Sequence, residues 1–277
     1  MVDRVCISIN NRCNLNCKYC HFHEKKDSIV SDDMDVIKIL DNIVTYIDEN
    51  NIKLFKIGFV GNGEPLLEYE KLQQYILHIS DYLLSGKIAA YTITNGLLVT
   101  KEKLEFFEKY KINLGFSIDG IQEIHDKYRC GTHNKVMKHI QLHKDLLGRY
   151  PSMNCTVGKE ILENQEETIE FFEQFDNRTT FSRMIGTYGI TLEEFNKFLD
   201  KAALRLNVRR GGYDCTMYGG KCGAGMNNFF FANNKVFLCG NCIDLPPVAD
   251  CNVAISELER ITISFDRNKC YKESKCE

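Results

Sequence analysis

Val5-Cys6-Ile7-Ser8-Ile9-Asn10-Asn11-Arg12-Cys13-Asn14-Leu15-Asn16-Cys17-Lys18-Tyr19-Cys20 opens the chain on an apolar strand that runs into a loop of three cysteines. Cys13, Cys17 and Cys20 stand in the spacing C-x3-C-x2-C. Three thiolates on one loop can hold three irons of a 4Fe-4S cube and leave the fourth iron without a protein ligand. Such an iron is free to bind a small molecule. A structural zinc is the other reading of the spacing: it takes four closed ligands, and His21 or His23 could supply the fourth. The strand Val5–Ile9 places the loop at a strand's C-terminal end, where α/β barrels carry their chemistry.

Working outward, the chain alternates between the two periodicities. Strands are expected at Val5–Ile9, Leu54–Val60, Ala89–Ile93, Asn113–Ile118, Met153–Val157 and Thr179–Ser182. Helices are expected at Asp33–Asn50, Tyr69–Ser85, Lys101–Lys109, Lys135–Leu147 and Gln165–Phe175. Six βα repeats predict an α/β fold, a partial (β/α)6 TIM-type barrel over residues 1–184, with a side cleft wide enough for a large substrate. A helix over Leu192–Leu206 then leads into a different composition. Seven cysteines lie between 215 and 276: Cys215, Cys222, Cys239, Cys242, Cys251, Cys270 and Cys276. That density reads as a small metal-scaffolded domain over 185–277. Phe229–Ala232 and Val236–Leu238 flank Asn233-Asn234 and predict a β-hairpin, because Asn tolerates the left-handed turn conformation. The hairpin is expected to bring Cys222 and Cys239 together.

Composition narrows the setting. The chain has 277 residues, 44% of them hydrophobic, enough for a real core. A net charge of −3 gives no footprint for nucleic acid. No run of 18 apolar residues predicts a membrane span, and the N-terminus has no signal-peptide pattern. Thirteen cysteines in a reducing cytoplasm mean metal or thiol chemistry rather than disulfides, so a cytoplasmic location is expected.

Further segments sharpen the picture. Gly61-Asn62-Gly63-Glu64-Pro65 follows the second strand, Thr94-Asn95-Gly96 ends the third, and Ser117-Ile118-Asp119-Gly120 ends the fourth. His125-Asp126-Lys127-Tyr128-Arg129 comes next. Glycines let a backbone approach a ligand closely. Glu64 at a strand end can pair with an ammonium, and Arg129 can clamp a carboxylate bidentately. With the cysteine loop, these segments resemble, in order, the radical S-adenosylmethionine (radical SAM) family. Its Gly-Gly-Glu-Pro turn has Asn62 here in place of the first glycine. The resemblance implies a [4Fe-4S] cluster on Cys13, Cys17 and Cys20. It also implies an S-adenosylmethionine site drawn from Tyr19, Gly63, Glu64, Asn95, Ser117, Asp119 and Arg129.

The C-terminal segment resembles the auxiliary-cluster domains called SPASM and, in shorter form, Twitch. Cys215, Cys222 and Cys239 match their pattern, with Asn234 where the turn glycine usually stands. The later cysteine array is incomplete. The resemblance implies one auxiliary [4Fe-4S] cluster with Cys242 as the preferred fourth ligand; Cys270 and Cys276 compete for that place and could support a second cluster. C-x2-C pairs also suit a zinc ribbon.

The implied reaction is reductive cleavage of S-adenosylmethionine to a 5′-deoxyadenosyl radical that takes hydrogen from a substrate. The subgroup implies a peptide or small protein substrate, modified by crosslinking, oxidation or epimerisation. Gly240 stands where sulfatase maturases carry an aspartate base. Cys6, Cys130, Cys155 and Cys251 have no cluster role; Cys130, beside Arg129, is the candidate hydrogen donor. The first strand begins by residue 5, so no leader-binding domain is expected before it, and peptide recognition would fall to the cleft, to the C-terminal domain or to a separate protein. A flavodoxin or ferredoxin is the expected reductant. A small-molecule dehydrogenase acting on an aminocyclitol, or a non-catalytic iron–sulfur or zinc module, are the alternatives.

Overall fold

Val5 and Ile7 are wholly buried against helices while Arg4 and Cys6 point to the opposite face, the period-two alternation that defines strand β1 (Arg4–Ile7). The computed structural model describes residues 1–20, 34–208 and 215–276. After β1 come α1 (Val36–Glu49), β2 (Phe55–Phe59), α2 (Tyr69–His78), α3 (Ser80–Leu84), β3 (Ile88–Thr94), α4 (Lys101–Lys109) and β4 (Asn113–Ser117). They are followed by α5 (Gln122–Tyr128), α6 (His133–Leu147), β5 (Ser152–Val157), α7 (Lys159–Glu163), α8 (Gln165–Glu173), β6 (Thr179–Arg183) and α9 (Leu192–Ala202). The remainder holds β7 (Asn228–Ala232), β8 (Lys235–Phe237), β9 (Ala249–Asp250) and two short helices, α10 (Ile255–Leu258) and α11 (Glu273–Cys276).

Local chemistry explains the elements. Helix α1 is capped by Asp35, whose side chain accepts from the Lys38 amide, and buries Val36, Ile39, Leu40, Ile43, Tyr46 and Ile47, one stripe of a 3.6-residue repeat. Helix α9 begins with a reciprocal capping box between Thr191 and Glu194. The helix expected over Tyr69–Ser85 is broken at Ile79, whose φ of −107° and ψ of 18° leave the helical region, giving α2 and α3. Helix α5 forms in a stretch where the sequence pattern predicts no helix. The start of the first expected helix, Asp33, lies outside the described residues.

The strands form one sheet in the order β6-β5-β4-β3-β2-β1-β7-β8-β9. All neighbours from β6 through β1 to β7 are parallel, and β7-β8-β9 is antiparallel. Among the described residues the sheet does not close on itself: its outermost strands are β6, whose Thr179 also bridges in parallel to Val208, and β9. The expected hairpin is present: Phe230 pairs with Phe237 and Phe231 with Val236, around Asn233 and Asn234 at φ 52° and 58°. Its first strand pairs in parallel with β1, Ile7 opposite Phe231. The cysteine-rich segment thus continues the barrel's sheet.

On the inner face of the sheet, glycines stand where neighbouring side chains crowd. A Cβ on Gly58 would lie 2.6 Å from the Tyr91 ring and 3.1 Å from Cys6 Sγ, and one on Gly115 would lie 2.5 Å from Asn154. Glycine at these positions admits the close approach of those side chains.

Phe231 is fully buried in the core shared by β1 and β7. Phe231→Ala should cost about 3–5 kcal/mol. Chemical denaturation should show one transition moving to lower denaturant, because hairpin and barrel share that core. A second, independent transition for the C-terminal segment would contradict this.

Candidate active site

The cysteine loop leaves β1 at the C-terminal ends of the parallel strands, and each neighbouring strand end holds it. Cys13 is exposed, and Cys17 and Cys20 are half-buried. The Cys20 amide donates to the Cys17 carbonyl at 3.0 Å, closing a tight turn. Burial pushes the Cys17 thiol up to about 12, opposed by the nearby Arg129 charge, with Cys20 and Cys13 within electrostatic reach. Raised thiols give up that penalty on binding metal, which takes the thiolate.

The Gly61–Pro65 turn is latched to the start of this loop. The Glu64 amide donates to the Arg12 carbonyl at 2.8 Å, and Asn10 Nδ2 donates to the Glu64 carbonyl at 2.9 Å. A Cβ on Gly63 would lie 2.1 Å from Asn10 Oδ1 and 2.2 Å from the Arg12 carbonyl. The glycine at 63 is therefore demanded by contact with the cysteine loop. The Asn62 side chain donates to Asn11 Oδ1 at 3.1 Å.

Glu64 is almost fully buried. Its Oε1 accepts from Thr94 Oγ1 at 2.6 Å and the Leu66 amide at 3.1 Å, and its Oε2 accepts from the Asn95 amide at 2.8 Å. Burial raises its carboxyl, against the pull of those donors. Three donors on two oxygens leave Oε2 one more acceptor position, and a cation there would relieve the burial. Asn95 donates from Nδ2 to Asn14 Oδ1 at 2.7 Å, tying β3 to the loop as well.

The end of β4 shows what Arg129 holds within the chain. Arg129 makes a fork, and the carboxylate it holds is Asp119, through Nε at 2.7 Å and Nη2 at 3.4 Å. Asp119 is 1% exposed, and a carboxylate so buried needs a cation beside it. Ser117 is half-buried on the inner face at the end of β4. Cys130 is exposed, in a left-handed turn at φ 59°.

His125 braces this corner. Its Nδ1 accepts from the Asp119 amide at 3.2 Å, and its Nε2 lies 3.1 Å from Thr132 Oγ1, which itself donates to the Arg129 carbonyl. The hydroxyl oxygen can therefore only accept from the ring, which fixes a neutral imidazole with its proton on Nε2.

The C-terminal cysteines gather into a second group. Cys222 and Cys270 are buried and Cys215 and Cys239 half-buried. Burial pushes the Cys215 thiol up to about 12, with Cys239, Cys222 and Cys270 all close enough to add to it. Arg267 wraps the last segment around this group: its guanidinium donates to the carbonyls of Cys222 and Ala224 at 2.9 and 3.1 Å, while its own carbonyl receives the Cys222 amide at 2.7 Å. This path delivers Cys270. Cys242 is buried beside Cys239, their sulfurs 3.3 Å apart. Cys276 ends α11, and its side chain lies outside the described residues, as do His21 and His23. Among the described residues no three His, Cys, Asp or Glu side chains converge on the position of one ion. Each group brings thiols together, the donors that zinc and iron–sulfur clusters both take. Both groups fit a cluster as donor sets.

A family model described as Radical SAM superfamily matches residues 7–202, and the chain belongs to that superfamily. Its relatives include a cysteine-type anaerobic sulfatase-maturating enzyme of Clostridium novyi, 27% identical over 180 residues, which cover 61% of this chain and 47% of that protein. An uncharacterized protein of Methanocaldococcus jannaschii is 28% identical over 216 residues, 73% of this chain and 72% of that one. The radical SAM cyclopropyl synthase TigE of Paramaledivibacter caminithermalis is 23% identical over 211 residues, 70% of this chain and 44% of that one. The chain thus spans about half the length of two of these relatives. Among solved structures, native anSMEcpe with bound AdoMet superposes with a TM-score of 0.73 at 20% identity, over 96% of this chain and 82% of that one, a likeness of fold.

Burial first, against Asp119 and with Arg129 adding, depresses His125 to about 4 from 6.5. A depressed histidine adds stability above its unfolded pKa that is lost as pH falls. Stability should therefore drop by about 3 kcal/mol between pH 6.5 and 4 from this residue. Denaturation midpoints across that range should show the slope, and His125→Asn should remove this share of it. An unchanged slope in the variant would contradict the neutral-imidazole geometry.

Proposed function

We propose that the chain is a radical SAM enzyme that modifies a peptide or protein substrate. The observation that carries the reading is the loop of Cys13, Cys17 and Cys20 held at the strand ends by Glu64, Asn95 and Asp119. Family membership implies S-adenosylmethionine and a [4Fe-4S] cluster. When bound, the pair supplies an electron and a 5′-deoxyadenosyl group that removes hydrogen from the substrate. The protein's own work is binding, orientation and exclusion. Glu64 would offer its remaining lone pair to an N–H of the cofactor's amino group, and Ser117 lies at the strand end facing the cleft. Gly58 and Gly115 make room for Tyr91, Cys6 and Asn154 to pack over the sheet.

A peptide substrate is supported by two things. Among the described residues the sheet is not closed into a full barrel, β6 and β9 being its outermost strands. Sulfatase-maturating enzymes and a cyclopropyl synthase are among the relatives. Gly240 follows Cys239, so a carboxylate base at that position is not part of this reading. Residues 1–184 form the catalytic barrel and 185–277 the auxiliary domain. Cys215, Cys222, Cys239 and Cys270 hold one auxiliary [4Fe-4S] cluster, with Cys242 beside it. A flavodoxin or ferredoxin supplies electrons in the cytoplasm, and a separate protein can assist peptide recognition.

Anaerobic reconstitution tests the assignment. Wild type should bind about eight irons, two four-iron clusters. The triple variant Cys13→Ala, Cys17→Ala, Cys20→Ala should lose about four and no longer cleave S-adenosylmethionine. Cys270→Ala should lose the auxiliary cluster while Cys242→Ala keeps it. Equal iron in wild type and triple variant, or a count of about twelve in wild type, would contradict the reading.

A further inference from the structure

One carboxylate, a hundred residues downstream of the cysteine loop, accepts four hydrogen bonds. Asp119 Oδ2 accepts from the Tyr19 hydroxyl at 2.5 Å and from Arg129 Nε at 2.7 Å. Its Oδ1 accepts from the Thr156 amide at 3.0 Å and from Arg129 Nη2 at 3.4 Å. Tyr19 lies between Lys18, whose amide donates to the Tyr128 carbonyl at 3.0 Å, and Cys20. The Arg129 guanidinium stands 5.3 Å from the centre of the Tyr19 ring, and its charge reaches Cys17. Both Asp119 and Arg129 are buried, so water screens neither.

We propose that Asp119 is a positioning residue for the N-terminal cluster: with Arg129 it forms a charge-balanced pair behind Cys17 that holds the Tyr19 side of the loop and keeps an unbalanced cation from raising the cluster's reduction potential. The inference rests on Cys13, Cys17 and Cys20 being the cluster's ligands. Reduction adds one negative charge to the cluster. A buried net positive charge beside it favours the reduced form and makes it a weaker electron donor. Cleaving a sulfonium by one-electron reduction demands a strong donor. Arg129 brings the cation-π contact that steadies Tyr19, and Asp119 cancels the charge that comes with it.

The test is a potentiometric titration of the full, anaerobically reconstituted chain. It follows the electron paramagnetic resonance signal that S-adenosylmethionine perturbs, which marks this cluster among the two. Asp119→Asn, which keeps the shape and removes the charge, should shift the potential to more positive values. Asp119→Asn with Arg129→Gln should return it toward wild type. An unshifted potential in Asp119→Asn with iron retained would overturn the inference, as would a double variant that stays with the single one. Should Asp119→Asn fail to hold the cluster, the double variant, which has no unbalanced cation, is expected to hold it, and its failure also overturns the inference. A wild type with no signal that responds to S-adenosylmethionine would instead remove the cysteine assignment, and the inference with it.

Discussion

Strand β1 is the constraint on which the rest depends. Only four residues long, it pairs in parallel with β2 on one side and β7 on the other, so one short segment joins the barrel strands to the cysteine-rich hairpin. It also fixes where the chain must go next. The Ser8 amide donates to the Phe231 carbonyl at 2.8 Å, extending the ladder with β7 by one residue, and the cysteine loop starts five residues later. Any slip of β1 by one residue would send Val5 and Ile7 into the cleft and Cys6 into the core. The loop and the C-terminal thiols are thus set by one register, and Cys6 lies close enough to Cys239 for their charges to interact.

From that anchor the site is assembled by carboxylates that belong to the fold before they belong to any ligand. Glu64 joins the turn after β2 to the end of β3, and Asp119 joins β4, β5 and the loop. Each is buried, and each is satisfied by several donors. A buried carboxylate with its partners in place is rigid, because any displacement strands both charge and donors without water. That rigidity suits a reaction whose reactive species must meet one hydrogen and no other.

Much of this was legible in the sequence, for identifiable reasons. The strands lie within a residue or two of expectation because alternation is a local signal: Leu54–Val60 was expected and Phe55–Phe59 is found. The Asn233-Asn234 turn announced its hairpin through residue types that accept positive φ. What was hidden is what depends on contacts distant along the chain. The pairing of β1 with β7 spans more than two hundred residues and leaves no local trace. Helix α5 has only seven residues, too few to show a stripe. That Arg129 holds Asp119 was hidden too, because the sequence does not say that Asp119 is buried within its reach. Cys270 follows Cys239 at no motif spacing; the Arg267 side chain, gripping the carbonyls of Cys222 and Ala224, brings it round.

The account's central claim is that the iron left open by Cys13, Cys17 and Cys20 binds the amino group of S-adenosylmethionine. Electron–nuclear double resonance on the reduced chain, with the cofactor's amino nitrogen labelled with nitrogen-15, reads that bond directly. The account predicts a nitrogen-15 coupling on the cluster signal in wild type. A four-iron cluster that forms on this loop, is reduced, and shows no such coupling in the presence of saturating cofactor would contradict it.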